Sequence, residues 1–449
     1  MCRTSIIRLF CGFKGNHNTS TICSAVEGRK ETMQETELKA IRTRIAATLF
    51  AAQSLTSAGL ILIATLLTIV SAELGGSEAL SGIPNAVNNL ASAPAAYIFG
   101  LLWDRTGRRK GLMLGLGLGA LGAWLGVAAV QANSFGLLLG AMLGLGAARA
   151  ASGLSRFTAA EVSPPEVRGR SISYVVLGGT VGAVFGPLLV DPSSRWALAF
   201  GLPELAGPFA IGVALYLLGV VVVWLGLRPE PMEVARRIAA AVPKEDQPTG
   251  EARPLKELVR QPAVIVAILS MSLSQMVMIG VMGITSLHMR HNDHPLTAIS
   301  LVFSAHTLGM FAFSILTGQL ADRWGRLPVI LSGCGILLVS FALAPVSTGT
   351  PLLSLALFLL GLGWNFCFVG GSALLSDQLS AAERARAQGF NDVFLGLAAA
   401  AASYLSGVIF AAQGFPILNL LGALITLIPL TAALVFYRRR AAPQLAVGD

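Results

Sequence analysis

The chain has 449 residues, of which 54% are hydrophobic and only 12% are charged, and its formal net charge is +9. A soluble domain carries about 25% charged residues, so this apolar surface is too large for a soluble core and indicates a membrane protein. The positive charge alone could suggest nucleic-acid binding. The basic residues stand in short clusters between apolar runs, however, and this is the pattern of membrane topology.

Twelve apolar runs are long enough to span the ~30 Å hydrocarbon core, which takes about 20 residues. We therefore predict an all-α membrane protein with twelve transmembrane helices, α1 to α12. In the first half of the chain they are α1 45–72, α2 80–102, α3 111–130, α4 134–154, α5 171–190 and α6 205–227. In the second half they are α7 262–287, α8 297–320, α9 328–346, α10 351–375, α11 388–412 and α12 415–437.

The basic residues predict the orientation of these helices. Of the 32 Lys and Arg residues, 29 lie in the two tails and in the loops on the same side of the membrane. The opposite loops hold Arg195 and Arg290, and Arg149 lies within α4. The positive-inside rule then predicts that both termini are cytoplasmic, in a multi-pass protein of the cell membrane. We call the face that holds the termini the basic side and the opposite face the outer side.

The distribution of polar segments divides the chain into five parts. The polar N-terminal tail has no apolar core before a small-residue cleavage site, so a secretory signal is not predicted. The longest internal loop is rich in proline, and its stretch 236–241 is a candidate surface helix. The predicted parts are a disordered cytoplasmic tail 1–44, a six-helix bundle 45–227, a cytoplasmic linker 228–261, a second six-helix bundle 262–437 and a cytoplasmic tail 438–449.

The two halves share a repeated sequence pattern. Residues Gly100–Arg108 read Gly-Leu-Leu-Trp-Asp-Arg-Thr-Gly-Arg, and residues Gly318–Arg326 read Gly-Gln-Leu-Ala-Asp-Arg-Trp-Gly-Arg. A second pair agrees at a similar offset, because Glu161 follows α4 as Asp377 follows α10. Two matches in loops of the basic side indicate a duplication. They predict two pseudo-symmetric bundles, and parallel repeats of six helices are a transporter architecture.

The segment 100–110 resembles the loop signature that the major facilitator superfamily carries between its second and third helices. The copy at 318–326 stands where that family has its second one, and the resemblance covers about residues 40–440. It implies a monomeric transporter of a small solute that works by alternating access and needs no cofactor. Within the family, the chain leans toward the twelve-helix drug/proton antiporters.

The resemblance implies a conformational latch in these loops. In one conformation Asp104 should meet the positive N-terminal end of α11, and Arg108 should pair with Glu161. The alternative is that the loop charges only set topology and loop shape. The latch residues of the first copy are Gly100, Asp104, Arg105, Gly107, Arg108 and Glu161, and those of the second are Asp322, Arg323, Gly325 and Arg326.

An arginine within a membrane helix is the next candidate. Leu145, Arg149 and Gly153 match the pattern Leu-x-x-x-Arg-x-x-Gln-Gly of proton-coupled family members, although Ser152 replaces the glutamine. A charge inside the membrane is costly and should face a cavity or a partner. The resemblance implies that Arg149 tunes a proton-binding carboxylate or holds an anionic substrate. Alternatively, its side chain snorkels to the cytoplasmic interface.

A partial match in α5 bears on the direction of transport. Gly182, Gly186 and Pro187 resemble the Gly-x-x-x-Gly-Pro element of the antiporter branch, but Val190 and Asp191 replace its closing glycines. The match favours efflux over uptake. Ordinary close packing of α5 against another helix would explain the same residues.

Polar residues within the apolar runs are candidates for the substrate site, which lies near the midplane between the halves in this architecture. Each of them alone is more often a helix–helix hydrogen bond. They are Gln53 in α1, Asn88 and Asn89 in α2, Gln275 in α7, His306 in α8, Trp364 and Asn365 in α10, and Asp392 and Tyr404 in α11. The run 45–72 contains no carboxylate, so proton coupling would have to use a group such as His306 or Asp392.

These observations favour a secondary active transporter of a small molecule, with proton-coupled efflux as the first hypothesis. An uptake symporter or uniporter for a small organic metabolite is the second, and a non-transporting receptor or scaffold on the same fold is the third. A membrane enzyme is not favoured, because the chain has no His-Glu-x-x-His motif and no nucleotide loop. The histidines near the outer 7–8 loop are typical of a short polar loop, so no metal site is predicted.

The latch hypothesis makes a direct prediction. Asp104→Asn should reduce transport at least about tenfold while leaving the protein folded, because the amide cannot supply the charge that the end of α11 attracts. Flux in reconstituted vesicles and the melting temperature of the purified variant measure the two effects. Undiminished flux would show that the loop charges act only on topology.

Overall fold

The computed structural model describes residues 17–164, 167–241 and 253–445, and the regular structure of these residues is helical. In the first half the helices are α1 His17–Gly75, α2 Ile83–Thr106, α3 Arg108–Gln131, α4 Phe135–Glu161, α5 Arg168–Phe185 with its continuation Val190–Ala199, and α6 Gly207–Gly226. In the second half they are α7 Pro262–His291, α8 Leu296–Phe311 with Ser314–Arg323, α9 Arg326–Leu343, α10 Thr350–Asp377, and a last helix Ala381–Leu445.

The last helix is two helices joined at a turn. Gly414 has φ 75° and a non-helical ψ, so the chain reverses there between α11, 381–413, and α12, 415–445. By length and composition, ten segments of the described residues could cross a membrane, and Ala387–Arg439 is one of them. Ile83–Thr106 is more polar, but its 24 residues correspond to about 36 Å of helix. The predicted fold class, an all-α membrane protein, is confirmed.

The start of α1 differs from the prediction, and the linker contains two helices. The structure starts α1 at His17 and not at 45, because no proline interrupts residues 17–44. Part of the predicted disordered tail is therefore helical, and residues 1–16 lie outside the described residues. In the linker, the helix Pro231–Ala241 contains the predicted stretch 236–241, and a short helix Leu255–Leu258 precedes α7.

Helix α5 is longer than predicted and is interrupted by its proline. A 3-10 turn, Pro187–Leu189, follows Phe185 and leads into Val190–Ala199. Proline lacks an N–H donor, so the α-helical hydrogen bonding stops there, but the tighter turn keeps the chain going in the same direction. Arg195, predicted in a loop, therefore lies in a helix, where it pairs with Asp191.

The glycines of α5 face α1 at very short range. A Cβ atom on Gly182 would lie 2.0 Å from the carbonyl oxygen of Ser54, and one on Gly186 would lie 2.7 Å from that of Ala58. Both distances are far below a normal contact. These glycines therefore allow the α1 and α5 backbones to touch, as small residues do between membrane helices.

The two halves meet toward the outer side. The hydroxyl oxygens of Thr68 in α1 and Ser286 in α7 are 2.7 Å apart, and Ser304 in α8 donates a hydrogen bond of 3.2 Å to the carbonyl of Val184 in α5. At the crossing of α2 and α11, a Cβ on Gly82 would lie 1.6 Å from the carbonyl oxygen of Ser403. Apart from Val184, which lies near the middle of α5, these residues lie in the halves of their helices nearer the outer side. The structure is thus closed on the outer side.

The packing of α5 on α1 can be tested with a matched glycine. Gly182→Ala should lower the free energy of unfolding by about 1–3 kcal/mol, because the added methyl group overpacks the helix contact. Gly117→Ala in α3 is the control, because nothing lies within 4 Å of its Cβ position. Thermal melting of both purified variants gives the comparison, and equal melting temperatures would contradict the close contact.

Candidate functional site

The first latch joins three helices through one arginine. Gly107, with φ +92°, ends α2, and α3 begins at Arg108. The Arg108 guanidinium contacts Asp104 at 2.8 Å from one nitrogen, and it donates to both oxygens of Glu161 at 3.0 and 2.9 Å. Its side chain is only 15% exposed, whereas that of Asp104 is 70% exposed. Arg108 therefore ties the ends of α2, α3 and α4 together.

The second latch repeats this geometry in the other half. Gly325 has φ +96°, and Arg326 contacts Asp322 at 2.6 Å and Asp377 at 3.1 Å. The repeated sequence pattern thus corresponds to a repeated ion triad. Arg105 and Arg323 are exposed at the ends of α2 and α8. The conformational role of both latches stays a prediction, because in this conformation the ion partner of Asp104 is Arg108 of its own half.

One prediction about the first latch needs correction. Gly100 is one of the predicted latch residues, and as a glycine it could permit a close approach, but nothing lies within 4 Å of its Cβ position. The close approach is made at Gly107, where a Cβ would lie 2.9 Å from the carboxyl carbon of Glu230. Gly100 sits inside α2 one turn before Asp104 and faces open space in this conformation.

Glu230, in the linker, contacts the loop of the first latch, and the sequence did not reveal this contact. Its carboxylate accepts hydrogen bonds from the backbone N–H groups of Arg108 at 2.6 Å and Arg109 at 3.2 Å. It thereby caps the positive end of α3, where the first N–H groups have no partner in the helix. In the second copy Pro328 removes one such donor. No local pattern connects Glu230 with a loop 122 residues away.

The other end of the linker is fixed to the second half. Arg253 donates from its backbone N–H at 3.0 Å and from its guanidinium at 2.8 and 2.9 Å to the carboxylate of Glu383. The Glu383 side chain is 1% exposed. Its hydrogen bonds with Arg253 hold the pKa of this carboxyl well below its usual range. Each described end of the linker is therefore anchored to a different half.

Arg149 extends from the middle of α4 toward the outer side. Its side chain is exposed, and one guanidinium nitrogen donates a hydrogen bond of 2.7 Å to the amide oxygen of Asn89. Asn89 lies close to the outer end of α2, whereas Arg149 lies about 21 Å below the outer end of α4. The side chain thus points away from the basic side, as expected for a helix whose side chains lean toward its N-terminus, and opposite to the snorkelling alternative.

The partner of Arg149 lies at the junction of the two halves. The Asn89 amide nitrogen donates to the carbonyl of Asn85 at 2.9 Å and lies 3.5 Å from the hydroxyl of Ser403 in α11. Among the described residues, no carboxylate lies within ion-pair distance of the Arg149 guanidinium. Arg149 therefore faces the space between the halves with a neutral partner.

Gln53 places an amide group beside the position in α4 where Ser152 replaces the glutamine of the family pattern. Ser152, which stands at that position, donates a hydrogen bond to the amide oxygen of Gln53 in α1, and Ser155 donates to the same oxygen at 3.3 Å. A Cβ on Gly179 in α5 would lie 3.2 Å from the Gln53 amide nitrogen. One half-buried amide thus connects three helices one turn away from Arg149.

Two candidates of the second half bind each other, and a third binds the backbone of α8. The Trp364 indole N–H donates to the amide oxygen of Gln275 at 2.7 Å, and its ring stacks on that of Phe368 at 4.9 Å. Asn365 donates to the carbonyl of Met310 at 2.7 Å, at the break between the two pieces of α8. The amide of Asn365 therefore replaces a hydrogen bond that the broken helix cannot make itself.

Two further candidates form hydrogen bonds with a neighbouring helix of their own half. His306 is 1% exposed, and its Nδ1 lies 2.9 Å from the carbonyl oxygen of Leu357, so it lies between α8 and α10 within one half. Asn88 likewise donates to the carbonyl of Met142 at 3.3 Å. For both residues the geometry favours a helix–helix hydrogen bond over a role in the central space.

The remaining charged candidate, Asp392, is attracted by an arginine that the predicted bounds of α4 placed in a loop. Arg156 lies inside α4, seven residues after Arg149, and its side chain is exposed. It attracts Asp392, an exposed carboxylate near the start of α11 in the other half. Tyr404, farther along α11, is 48% exposed. Arg149, Arg156 and Asp392 are thus exposed charged groups on α4 and α11.

Two six-helix halves, matching latches and a charged helix face between them define the class of membrane carriers. The chain belongs to the major facilitator superfamily, whose model matches residues 49–296 and 269–448. It is 38% identical over 373 residues to the uncharacterized MFS-type transporter YdeG of Bacillus subtilis, covering 83% of this chain and 86% of that one. It is 30% identical to the riboflavin transporter RfnT of Brucella anthropi, covering 78% and 85%.

Solved structures share the fold at low sequence identity. A bacterial homologue of the human lysosomal transporter Spinster, in an inward-facing and occupied conformation, superposes with a TM-score of 0.71 at 14% identity, covering 88% of this chain and 97% of that one. The nucleoside transporter NupG superposes with a TM-score of 0.64 at 18% identity, covering 89% and 98%. These structures show the fold, and membership of the major facilitator superfamily makes the chain a transporter and not an enzyme.

The capping role of Glu230 can be measured through stability. Glu230→Ala should lower the free energy of unfolding by about 1 kcal/mol, as expected for the loss of a helix cap. Glu230→Gln keeps an acceptor oxygen and should lose less. Glu233→Ala, a change of a carboxylate in the linker helix that follows Glu230, is the control. Equal melting temperatures for Glu230→Ala and Glu233→Ala would contradict the cap.

Proposed function

We propose that this protein carries a small organic solute across the cell membrane by alternating access, with Arg149 in the substrate site. The observation that carries the proposal is an exposed arginine in the middle of α4, in a space between two halves that meet on the outer side. By the positive-inside rule the basic side is cytoplasmic. The conformation described here would then be the inward-facing one.

The chemistry of Arg149 supports a class of solute. A guanidinium offers five N–H donors, and the hydrogen bond that the structure gives it goes to the neutral amide of Asn89. A charge at this depth is costly unless a partner satisfies it. A carboxylate, a phosphate or a pair of carbonyl groups could accept two parallel hydrogen bonds from it. We therefore propose a solute with an anionic group or with paired carbonyl acceptors.

The latches would control access to this site. In the inward-facing conformation Asp104 is exposed and is held by Arg108. When the basic side closes, the N-terminal end of α11 would approach α2, and its positive end would attract the Asp104 carboxylate. The first latch would thus stabilise the outward-open conformation by a contact that is absent here.

Export coupled to protons is our first hypothesis for the direction. It is supported by the α5 glycine element and by 32% identity to the multidrug resistance protein MdtL of Escherichia coli, a match that covers only 20% of this chain. Asp392, an exposed carboxylate that Arg156 attracts, would be the proton-binding group. Since α1 offers no carboxylate within 45–72, coupling would depend on α11.

Uptake of a flavin-like solute is the second hypothesis. It is supported by the similarity to a riboflavin transporter over most of both chains. A flavin is a planar ring system with carbonyl acceptors, which suits a guanidinium. The two directions are separable by imposing a pH gradient of either polarity on reconstituted vesicles. Export by proton exchange requires solute to move against the proton flux, whereas symport requires it to move with the flux.

The binding role of Arg149 is tested with three variants in proteoliposomes. Riboflavin and a set of aromatic carboxylates serve as probes, after a thermal-shift screen selects those that stabilise the protein. Arg149→Ala should reduce flux of the selected solute at least about tenfold, since about 1.4 kcal/mol or more of hydrogen bonding is lost. Arg149→Lys should retain part of it for an anionic solute. Arg195→Gln, a change of an exposed arginine on the outer side, is the control, and equal flux in Arg149→Ala and Arg195→Gln would refute the proposal.

A further inference from the structure

We propose that two consecutive residues at the end of α7, Arg290 and His291, form the ionic part of an outer gate, and that the pH of the outer compartment sets how firmly this gate closes. The inference rests on alternating access as proposed above. It concerns the outer side only and does not depend on the identity of the solute.

Both residues form contacts with the other half. An Arg290 guanidinium nitrogen lies 3.9 Å from a carboxylate oxygen of Glu204, which begins the short 3-10 helix before α6. Nε2 of His291 lies 3.2 Å from a carboxylate oxygen of Glu78, which begins the short 3-10 helix between α1 and α2. The ion pairs of the two latches, in contrast, each lie within one half. The end of α7 thus bridges two separate loops of the first bundle.

These pairs lie above the neutral contacts that close the outer side. Ser286, five residues before His291, contacts Thr68 at 2.7 Å, and the backbones of Gly82 and Ser403 touch at the crossing of α2 and α11. If the outer side opens, the two halves must separate at all of these contacts. Both ion pairs must then break, and they must re-form when the outer side closes.

The ion pairs of the gate are accessible to the outer solution. The four side chains of the two pairs are between 39% and 42% exposed. A cavity of about 290 Å³ lies against one of the pairs and is lined in part by Glu73, Asn133, Glu204 and Arg290. Protons and salt from the outer compartment therefore reach the charged groups directly, and salt screens pairs with such exposure.

The charge of His291 distinguishes the two pairs. Arginine is always charged, whereas histidine ordinarily changes its charge between about pH 5 and 8. The contact of His291 with Glu78 is an ion pair only when the imidazole is protonated. At low outer pH this attraction stabilises the closed outer side. At high pH the imidazole is neutral, and of the two pairs only Arg290 with Glu204 then joins two charged groups.

The other charged groups near the end of α7 do not bridge the halves in the same way. His288 stacks on Phe415 at 4.1 Å, and His294 lies 2.8 Å from the carbonyl oxygen of Thr348, so both contact their own half. Asp293 follows in the same loop. Glu73 lies with Glu204 in the first half and also attracts Arg290 across the same cavity, but it forms no ion pair with it among the described residues. Protonation of His288 or His294 adds positive charge near Arg290, and this acts against the effect of His291.

The test measures the distance between the outer ends of the two halves without any solute. Spin labels are attached to Ala132→Cys, before α4, and Val346→Cys, before α10. Both positions are exposed. Cys2, Cys11 and Cys23 are replaced by serine, whereas Cys334 and Cys367 are buried and remain. Pulsed electron paramagnetic resonance on purified full-length protein then gives the ratio of outer-open to outer-closed molecules.

Lowering the pH from about 8 to about 5.5 should decrease this ratio about two- to fivefold in the parent protein, the range expected for an exposed ion pair. His291→Gln should abolish the pH effect, and about 1 M KCl should weaken it. His294→Gln is the matched control and should keep it. Arg290→Gln should raise the ratio at both pH values.

Three results would overturn the proposal. They are an equal ratio at both pH values in the parent protein, an unchanged pH effect in His291→Gln, and the loss of the effect in His294→Gln. If the outer-open form of the parent is below detection, His291→Gln together with Arg290→Gln should make it visible at pH 5.5, and its absence there would equally refute the gate. Loss of flux in the Arg149 variants has no bearing on this ratio, so the two proposals can fail separately.

Discussion

A peptide backbone in hydrocarbon must satisfy its own hydrogen bonds, and the whole architecture follows from this requirement. Helices meet it within one segment, so each apolar run becomes a helix. The places where a helix is broken are the informative ones. At the break of α8 the amide of Asn365 binds the free carbonyl of Met310, and at Pro187 a 3-10 turn replaces the α-helical pattern. Irregular backbone is present where a neighbouring group or a tighter turn supports it.

Charged groups need partners as well, because burying an unpaired charge costs more free energy than burying an unpaired backbone group. At the basic side each latch arginine is shared between two carboxylates, Glu230 joins the linker to the first latch loop, and Arg253 pairs with Glu383. Arg149 departs from this pattern, because its bond goes to a neutral amide. A charge left with a weak partner at membrane depth is a functional candidate, whereas the well-paired arginines set the geometry of the helix ends.

The contacts between the halves are of a kind that can be exchanged. On the outer side they include a hydroxyl pair, a hydroxyl-to-carbonyl hydrogen bond, a small-residue backbone contact and two half-exposed ion pairs. None of these resembles the deep apolar packing within each half, such as that of Leu62 and Leu66 in the core. Two bundles joined in part by polar contacts and by half-exposed ion pairs can separate at moderate cost, and a carrier that alternates its access requires this property.

The sequence by itself determined the helical class, the duplication and the clustering of basic residues on one side, because hydrophobicity over 20 residues and a repeated motif are properties of a continuous segment. The tertiary structure alone decided which polar groups meet. Asn89 and Arg149 are 60 residues apart, Ser152 and Gln53 are 99 apart, and Arg108 and Glu230 are 122 apart. Such contacts depend on how each helix is rotated and where it crosses its neighbours. The same rotations bury His306 within one half and leave Arg156 exposed.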